Sequence, residues 1–518
     1  MSNNNYKKNS VKNPKELPQY GKKGKKPRKP NYRKEQSLDE IQTNDISYWN
    51  KTSGFNDVTK FNWDLIVGRP RNPQSFLSTE LAEVSVSQFE LNPSQIMIIN
   101  FIMGPGWANS VDDAVNRGLA RIMANIRSSL STANIGFETA DLGIFFSSTS
   151  SIAALIGYAK RVLESYTVWK DRNYAYPRAL IKAQGFDYVD IANNINTYSA
   201  RLNAAIDMYN GMNLLDCFDV YDRQYSMCHN IFADEDSEFG QLYIFRPINY
   251  YVYDDEDIPS KAANTQIAWT VPFTDFGEWL DLIDEAIQSW YGSTDLYQIN
   301  GVLLRAFKEA PRQSIPHFVQ GDTIDPVVDR SFLMQIMNCT IMGWTDPTTC
   351  DITQEPSTQN YVIWKPKLDS TSPAYNPVSS TMLRLFENDV SNEDNMELTR
   401  LVNFVDENGF LTNCGTEIVA GIDMLRYDTT TNSADIHTIG SNEIVLSEDD
   451  PASQIHLINS IQPFRYIPAI HIVGEPGLYG VRYLGTLGDV YNWMLYTRID
   501  WHTLQFVAYQ SLWTPKNL

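Results

Sequence analysis

The short signatures of common enzyme chemistry are missing from this chain of 518 residues. It has no G-x-x-x-x-G-K-[ST] phosphate loop, no H-E-x-x-H helix and no G-x-S-x-G elbow. These absences remove the commonest sequence routes to nucleotide, zinc-peptidase and serine-hydrolase chemistry. Histidine is scarce: the six, His229, His317, His437, His456, His471 and His502, are scattered, and no two lie four residues apart on one helical face. Cysteine is scarce as well. Cys217, Cys228, Cys339, Cys350 and Cys414 are odd in number and include no C-x-x-C, so the expectation is buried thiols in a reducing compartment. The eleven-residue spacings of Cys217 to Cys228 and of Cys339 to Cys350 would permit bridges, but nothing else in the chain indicates an oxidising compartment. Cys228-His229 is an adjacent pair, read as a buried thiol beside a hydrogen-bonded imidazole. No run of about 18 apolar residues is present, which gives no expectation of a membrane-spanning segment. The N-terminus has no apolar signal core either. No catalytic residue, metal ligand or cofactor is assigned.

Positive charge is outnumbered by acid over most of the chain and dense at one end. Residues 1–34 hold 12 of the 42 Lys and Arg residues and one acid, Glu16, while residues 35–518 hold 30 bases and 61 acids. A tail of +11 is therefore attached to a body of −31. The basic residues are Lys7, Lys8, Lys12, Lys15, Lys22, Lys23, Lys25, Lys26, Arg28, Lys29, Arg33 and Lys34. Pro14, Pro18, Pro27 and Pro30 break any helix there, and low hydrophobicity with high charge predicts a disordered arm over residues 1–44. Such an arm suits phosphate: each contact releases a counterion, so affinity is sequence-blind and salt-dependent. A solubilising tail, a nuclear-localisation run and a membrane-surface tether are the plainer alternatives. The acidic runs Asp234-Glu235-Asp236-Ser237-Glu238 and Asp254-Asp255-Glu256-Asp257 lack calcium-loop spacing and read as solvated faces.

Apolar periodicity divides the body. Glu80 to Met103 alternates and then becomes continuously apolar, predicting a buried strand that ends at the turn Gly104-Pro105-Gly106. Ser110 is a candidate cap for a helix carrying Val115, Leu119, Ile122, Ile126 and Leu130 at helical spacing. Further helices are expected over about 148–170, from Asp187 to Gly211, over 273–291 and over 301–310. A strand is expected over 241–245, antiparallel strands over 417–446, and a loop-rich stretch over 314–380 with Met334, Met337 and Met342 in a buried piece. The last segment, 451–518, mixes strand-like pieces with a helix-like piece near 490–496. In the stretch from Tyr174 to Ile191, Tyr176 before Pro177 is biased to extended backbone, and Pro177 opens a short helix at its first position. Gly185 ends that helix and Asp187 caps the next, which makes a helix-turn-helix corner.

That stretch, Tyr-Ala-Tyr-Pro-Arg-Ala-Leu-Ile-Lys-Ala-Gln-Gly-Phe-Asp-Tyr-Val-Asp-Ile over 174–191, resembles the capsid proteins of picobirnaviruses. So do the following helix pattern from Asp190 to Tyr198, the block from Gln95 to Gly106, and the order of basic arm, Asp-Ile-Ser-Tyr-Trp-Asn (45–50), strand and helices. The resemblance covers about residues 1–245. It implies an α+β fold with a mainly α-helical shell domain over 45–245 and a mixed α/β projecting domain over 246–460. The C-terminal segment 461–518 would return to the shell or to a dimer interface. It also implies a non-enzymatic coat protein that assembles with itself, as homodimers, into a small non-enveloped icosahedral shell around double-stranded RNA. Its partners would be viral RNA, through the arm, and the viral polymerase. Its place would be the virion, and the host cytoplasm during assembly. Trp493, Trp501, Phe506, Tyr509 and Trp513 make an aromatic terminus suited to an interface, since chain ends fray unless docked. The alternative from another class is a soluble, hydrolase-like enzyme with a basic targeting tail.

Overall fold

The structure is a computed structural model. It describes residues 96–131, 135–168, 175–236, 240–253, 264–268, 275–341, 345–355, 360–368, 380–385, 392–413, 415–428, 433–439, 464–473, 481–485 and 495–500. The basic arm, the 45–50 motif, the acidic run 254–257 and the five terminal aromatics lie outside the described residues.

In chain order the first elements are strand β1 (Ile96–Met103), helices α1 (Ala114–Leu130), α2 (Thr139–Ser165), α3 (Ala175–Ala183), α4 (Tyr188–Gly211) and α5 (Asp219–His229). Strands β2 (Phe232–Ala233), β3 (Leu242–Pro247), β4 (Asn249–Tyr253) and β5 (Asn264–Ala268) precede helices α6 (Phe276–Gly292), α7 (Thr294–Ala306) and α8 (Arg330–Asn338). Then come β6 (Thr340–Ile341), β7 (Thr353–Gln354), β8 (Val362–Ile363), β9 (Ser380–Leu385), α9 (Asn392–Leu398), β10 (Asn403–Val405) and β11 (Leu411–Asn413). The last are β12 (Glu417–Asp428), β13 (Ser433–Ile439), β14 (Ala469–Val473), β15 (Val481–Gly485) and β16 (Leu495–Asp500).

The main sheet has the order β13-β12-β1-β3-β2. β1 is at its centre, parallel to β3 and antiparallel to β12. It is buried along its whole length, so its sequence is continuously apolar instead of alternating. The period of two survives in what each face meets. Met97, Ile99 and Phe101 enter the principal core, while Ile96 and Ile98 face a second cluster built with Ala179, Leu180 and Ala183 of α3. The sheet and principal core draw on residues from both sides of position 245. Gly104 ends β1 where Trp364 packs against its Cα, in space that any side chain would occupy.

α2 is the central helix. From Leu142 to Ser165 every residue is buried, and α1, α4, α5, α6 and β4 pack around it. It is long and apolar enough to cross a membrane, yet it is wholly enclosed within this fold. It begins nine residues before the expected start at 148 and stops at 165. The expected start falls inside the polar run Ser147-Ser148-Thr149-Ser150-Ser151. In the structure Ser147 Oγ donates to Gly143 O (2.9 Å), Ser148 Oγ to Ile144 O (3.0 Å) and Thr149 Oγ1 to Phe145 O (2.6 Å). Hydroxyls returned to the helix's own carbonyls bury without an unmet donor.

Other expectations shift similarly. The residue flanking α1 is Asp113, not Ser110; its Oδ2 accepts from the backbone N–H of Asn109 (2.6 Å) and Ser110 (2.7 Å) and so fixes the preceding turn. α7 starts at Thr294, earlier than 301, because Ser293 Oγ accepts from Leu296 N. The stretch 314–380 contains helix α8, capped by Asp329, whose Oδ1 accepts from Ser331 N at 2.9 Å. In the helix-like piece near 490–496, Leu495 and Tyr496 belong to a strand, paired with β9 of the same chain.

Candidate functional site: a helical corner on buried charges

The corner between α3 and α4 is built from backbone geometry. Pro177 is the third residue of α3 instead of the first, still within the turn whose N–H groups have no helical partner. At the far end Gly185 has φ of +93°, its N–H bonds to Lys182 O (2.9 Å) and the N–H of Phe186 bonds to Ile181 O (3.1 Å). This paired closure needs left-handed backbone, which glycine adopts without a Cβ clash. Asp187 then caps α4, its carboxylate accepting from Val189 N at 3.0 Å.

Just before the turn stands Gln184, fully buried, which ties the corner to α2. Its backbone O accepts from Tyr158 Oη (2.6 Å), its Oε1 from Arg161 Nε (2.8 Å), and its Nε2 donates to Ser165 Oγ (3.1 Å). Among the described residues the partners of Arg161 are carbonyl oxygens. Its guanidinium donates to Phe245 O of β3 (2.8 Å) and Asn230 O (3.3 Å), and lies 4.7 Å from the Tyr158 ring centroid. Burial lowers the Arg161 pKa and pushes the Tyr158 hydroxyl up to about 12, each opposed by attraction to the other.

Two further arginines cross-link distant segments. Arg223 of α5 donates from Nη2 to Glu417 Oε2 (2.8 Å) and to Gln335 Oε1 of α8 (3.0 Å), and Gln224 Nε2 reaches Glu417 Oε1 at 2.6 Å. Arg246 of β3 pairs with Asp423 of β12 and donates to Asn100 Oδ1 of β1 (2.7 Å), while Asn100 Nδ2 donates to Asp423 Oδ2 (3.0 Å). One polar row therefore crosses the three middle strands. A third cluster joins His229 Nε2 to Glu164 Oε2 (2.8 Å), with Lys160 3.6 Å from the same carboxylate. Cys228 beside it is buried, and burial raises its thiol to about 12, far from the thiolate state that nucleophilic chemistry needs. No disulfide joins Cys217, Cys228, Cys339 or Cys350. Asp234 departs from the solvated acidic face expected for its run. It is half-buried, accepts from Gln241 N at 2.8 Å, and has a pKa raised to about 7, chiefly by burial.

Of the residues singled out in the sequence, the structure brings together Pro177, Gly185 and Asp187 at the corner. The basic arm and Trp493, Trp501, Phe506, Tyr509 and Trp513 lie outside the described residues. Sequence reasoning missed Arg161, Gln184, Arg223, Arg246, Glu417 and Asp423. The one available signal was Lys160-Arg161, a charged pair inside an otherwise apolar helical run.

These arginines are engaged by carbonyls and carboxylates of their own chain, and what they do is hold elements in register. The class this arrangement defines is an α+β fold whose buried arginines join its helices to its main sheet. A family model described as "Picobirnavirus, Capsid protein" matches residues 49–446. The capsid protein precursor of human picobirnavirus (strain Human/Thailand/Hy005102/-) is 20% identical over 442 residues, covering 78% of each chain. The crystal structure titled "X-ray crystallographic structure of the picobirnavirus capsid" superposes with a TM-score of 0.64 at 19% identity, over 82% of this chain and 89% of that one. The chain belongs to the picobirnavirus capsid protein family, and its role is that of a structural protein of the virion.

Proposed function

We propose that this chain pairs as homodimers and that the dimers tile a small icosahedral, non-enveloped shell around double-stranded RNA. The arm from Lys7 to Lys34 faces the lumen and contacts RNA there. The family match over 49–446, with a +11 tail before it and an acidic body carrying it, supports this reading. The tail neutralises phosphate, while the body repels the bulk of the RNA and keeps it mobile inside. The same lumenal arm is within reach of a polymerase packaged with the genome. Assembly takes place in the host cytoplasm, the reducing compartment that the cysteine usage suggests. No step of this role calls for catalysis by the chain.

The test is expression of the full chain and of a form lacking residues 1–34, followed by sedimentation, negative-stain microscopy and RNA quantification. The full chain is expected to sediment as megadalton particles carrying RNA that salt removes steeply. The truncated form is expected to melt at the same temperature with most of its RNA lost. A monomeric full chain, or undiminished RNA in the truncated form, would count against the proposal.

A further inference from the structure

Against the acidic body, helix α1 is an anomaly. Residues 35–518 carry 61 acids, about one position in eight, so a stretch as long as 114–137 would ordinarily hold three. It holds none, and it carries Arg117, Arg121 and Arg127, all on α1 and all exposed. Arg117 has Asp112 at 3.6 Å, both of them well exposed. Arg121 and Arg127 have no ion-pair partner among the described residues. Arg161, Arg201 and Arg223 on other helices are held by groups of their own chain. α1 differs in leaving its guanidinium groups available.

The helix presents them on one side. Arg121 lies about 40° to one side of Arg117 and Arg127 about 80° to the other, so the three share an arc of about 120° and a length of about 15 Å. Ala120, Ala124 and Ser128 occupy the same arc and are exposed. Short side chains therefore separate the arginines, and a broad surface can approach all three. The opposite side, with Val115, Leu119, Ile122 and Ile126, is buried.

The steps of four and six residues make no straight stripe, so a single row of carboxylates on a protein helix does not fit them. A duplex backbone needs no such match. Double-stranded DNA carries one charge per about 1.7 Å of its axis, and an RNA duplex is comparably dense, so phosphates meet the three arginines in any register. The planar guanidinium fork also suits phosphate oxygens. We infer that the exposed face of α1 is a contact for double-stranded RNA on the folded body, sequence-blind and separate from the arm. This rests on the RNA enclosure proposed above and gives it a fixed point beside the arm. A few phosphates held at α1 leave the acidic remainder of the body to repel the rest.

The full chain is compared with Arg117→Gln/Arg121→Gln/Arg127→Gln, with the same three positions changed to Lys, and with Arg121→Gln/Arg127→Gln, which gives up no ion pair within the chain. Circular dichroism melting checks folding and negative-stain microscopy checks particles. Fluorescence anisotropy follows binding of a mixed-sequence RNA duplex of about 24 base pairs between about 0.05 and 0.2 M salt. Each phosphate contact on B-form DNA adds about 0.9 to the slope of log affinity against log salt, so the triple Gln variant is expected to lose roughly two to three from that slope and the Gln pair roughly one to two. The Lys variant is expected to keep the slope, and every variant to keep its fold and form particles. An unchanged slope in the folded triple variant or in the Gln pair overturns this contact, while the arm reading stands if removing residues 1–34 still strips the RNA. Particles lost with the slope unchanged assign the face to a second copy and also overturn it. So does a Lys variant that loses as much slope as the Gln variant. A wild-type chain that binds no duplex overturns both this contact and the RNA contact of the arm.

Discussion

At position 185 the backbone is left-handed, with φ of +93°, and two carbonyls of α3 are closed by the N–H groups that follow. A β-branched side chain there strains the turn, and the strain acts on Gln184, whose side chain holds Arg161. Gly185→Val is therefore expected to destabilise the chain by roughly 1–2 kcal/mol or more. His317→Ala is expected to change stability by about 0.5 kcal/mol or less, because the His317–Asp207 pair is exposed. Chemical denaturation of the two variants gives the comparison, and an inverted order would sink the argument. His229→Ala belongs elsewhere, since its partner Glu164 is buried.

Among the elements, the pairing of α5 with β12 depends most on charge. Arg223 and Glu417 are both buried, with side-chain exposures of 6% and 0%. Removing one partner of such a pair leaves a buried charge unmet, so Glu417→Gln is expected to cost about 3–5 kcal/mol. Replacing both by apolar residues of similar volume is expected to cost much less. Urea titration of the single and double variants gives the coupling, and equal losses from both would contradict it. Helices with both a cap and a clean stripe were legible in sequence. α4 begins after Asp187 and ends at Gly211, and α6 buries Phe276, Trp279, Leu280, Ile283 and Ile287. α2 was legible only in part, because its serines satisfy themselves inside the helix. α8 was hidden by the polar composition around it, although Asp329 before Phe332, Leu333, Ile336 and Met337 is a capped stripe. The charged clusters were not legible. An arginine has the same letter whether it lies in solvent or in the core, and the partners of Arg223 and Arg246 are more than a hundred residues away.

For the whole molecule, the C-terminal strand gives the last segment a fixed origin. β16 pairs with β9 of the same chain, from Leu495 opposite Leu385 to Asp500 opposite Ser380. The aromatic segment beginning at Trp501 thus leaves from an anchored point. We propose that it seats on the helical core and helps to lock the dimer. Removing residues 501–518 is expected to abolish particles and to yield monomers or aggregates instead of free dimers, as read by sedimentation and microscopy. Intact particles from that truncation would remove the dimer-lock role.

The central strand makes synthesis itself a checkpoint. Ile96 of β1 pairs with Leu425 of β12, so the two are 329 residues apart along the chain. At ribosomal speeds of 5–20 residues per second that interval lasts roughly 15–65 s. Throughout this wait β1 lacks one neighbour, and for the first part of it, until residue 292 has been made, the apolar helix α2 lacks α6. A chain released before β12 has been made cannot complete the sheet, whatever its N-terminal half has achieved. The topology separates finished from unfinished chains, and an abortive translation product never presents the same surfaces as a complete subunit.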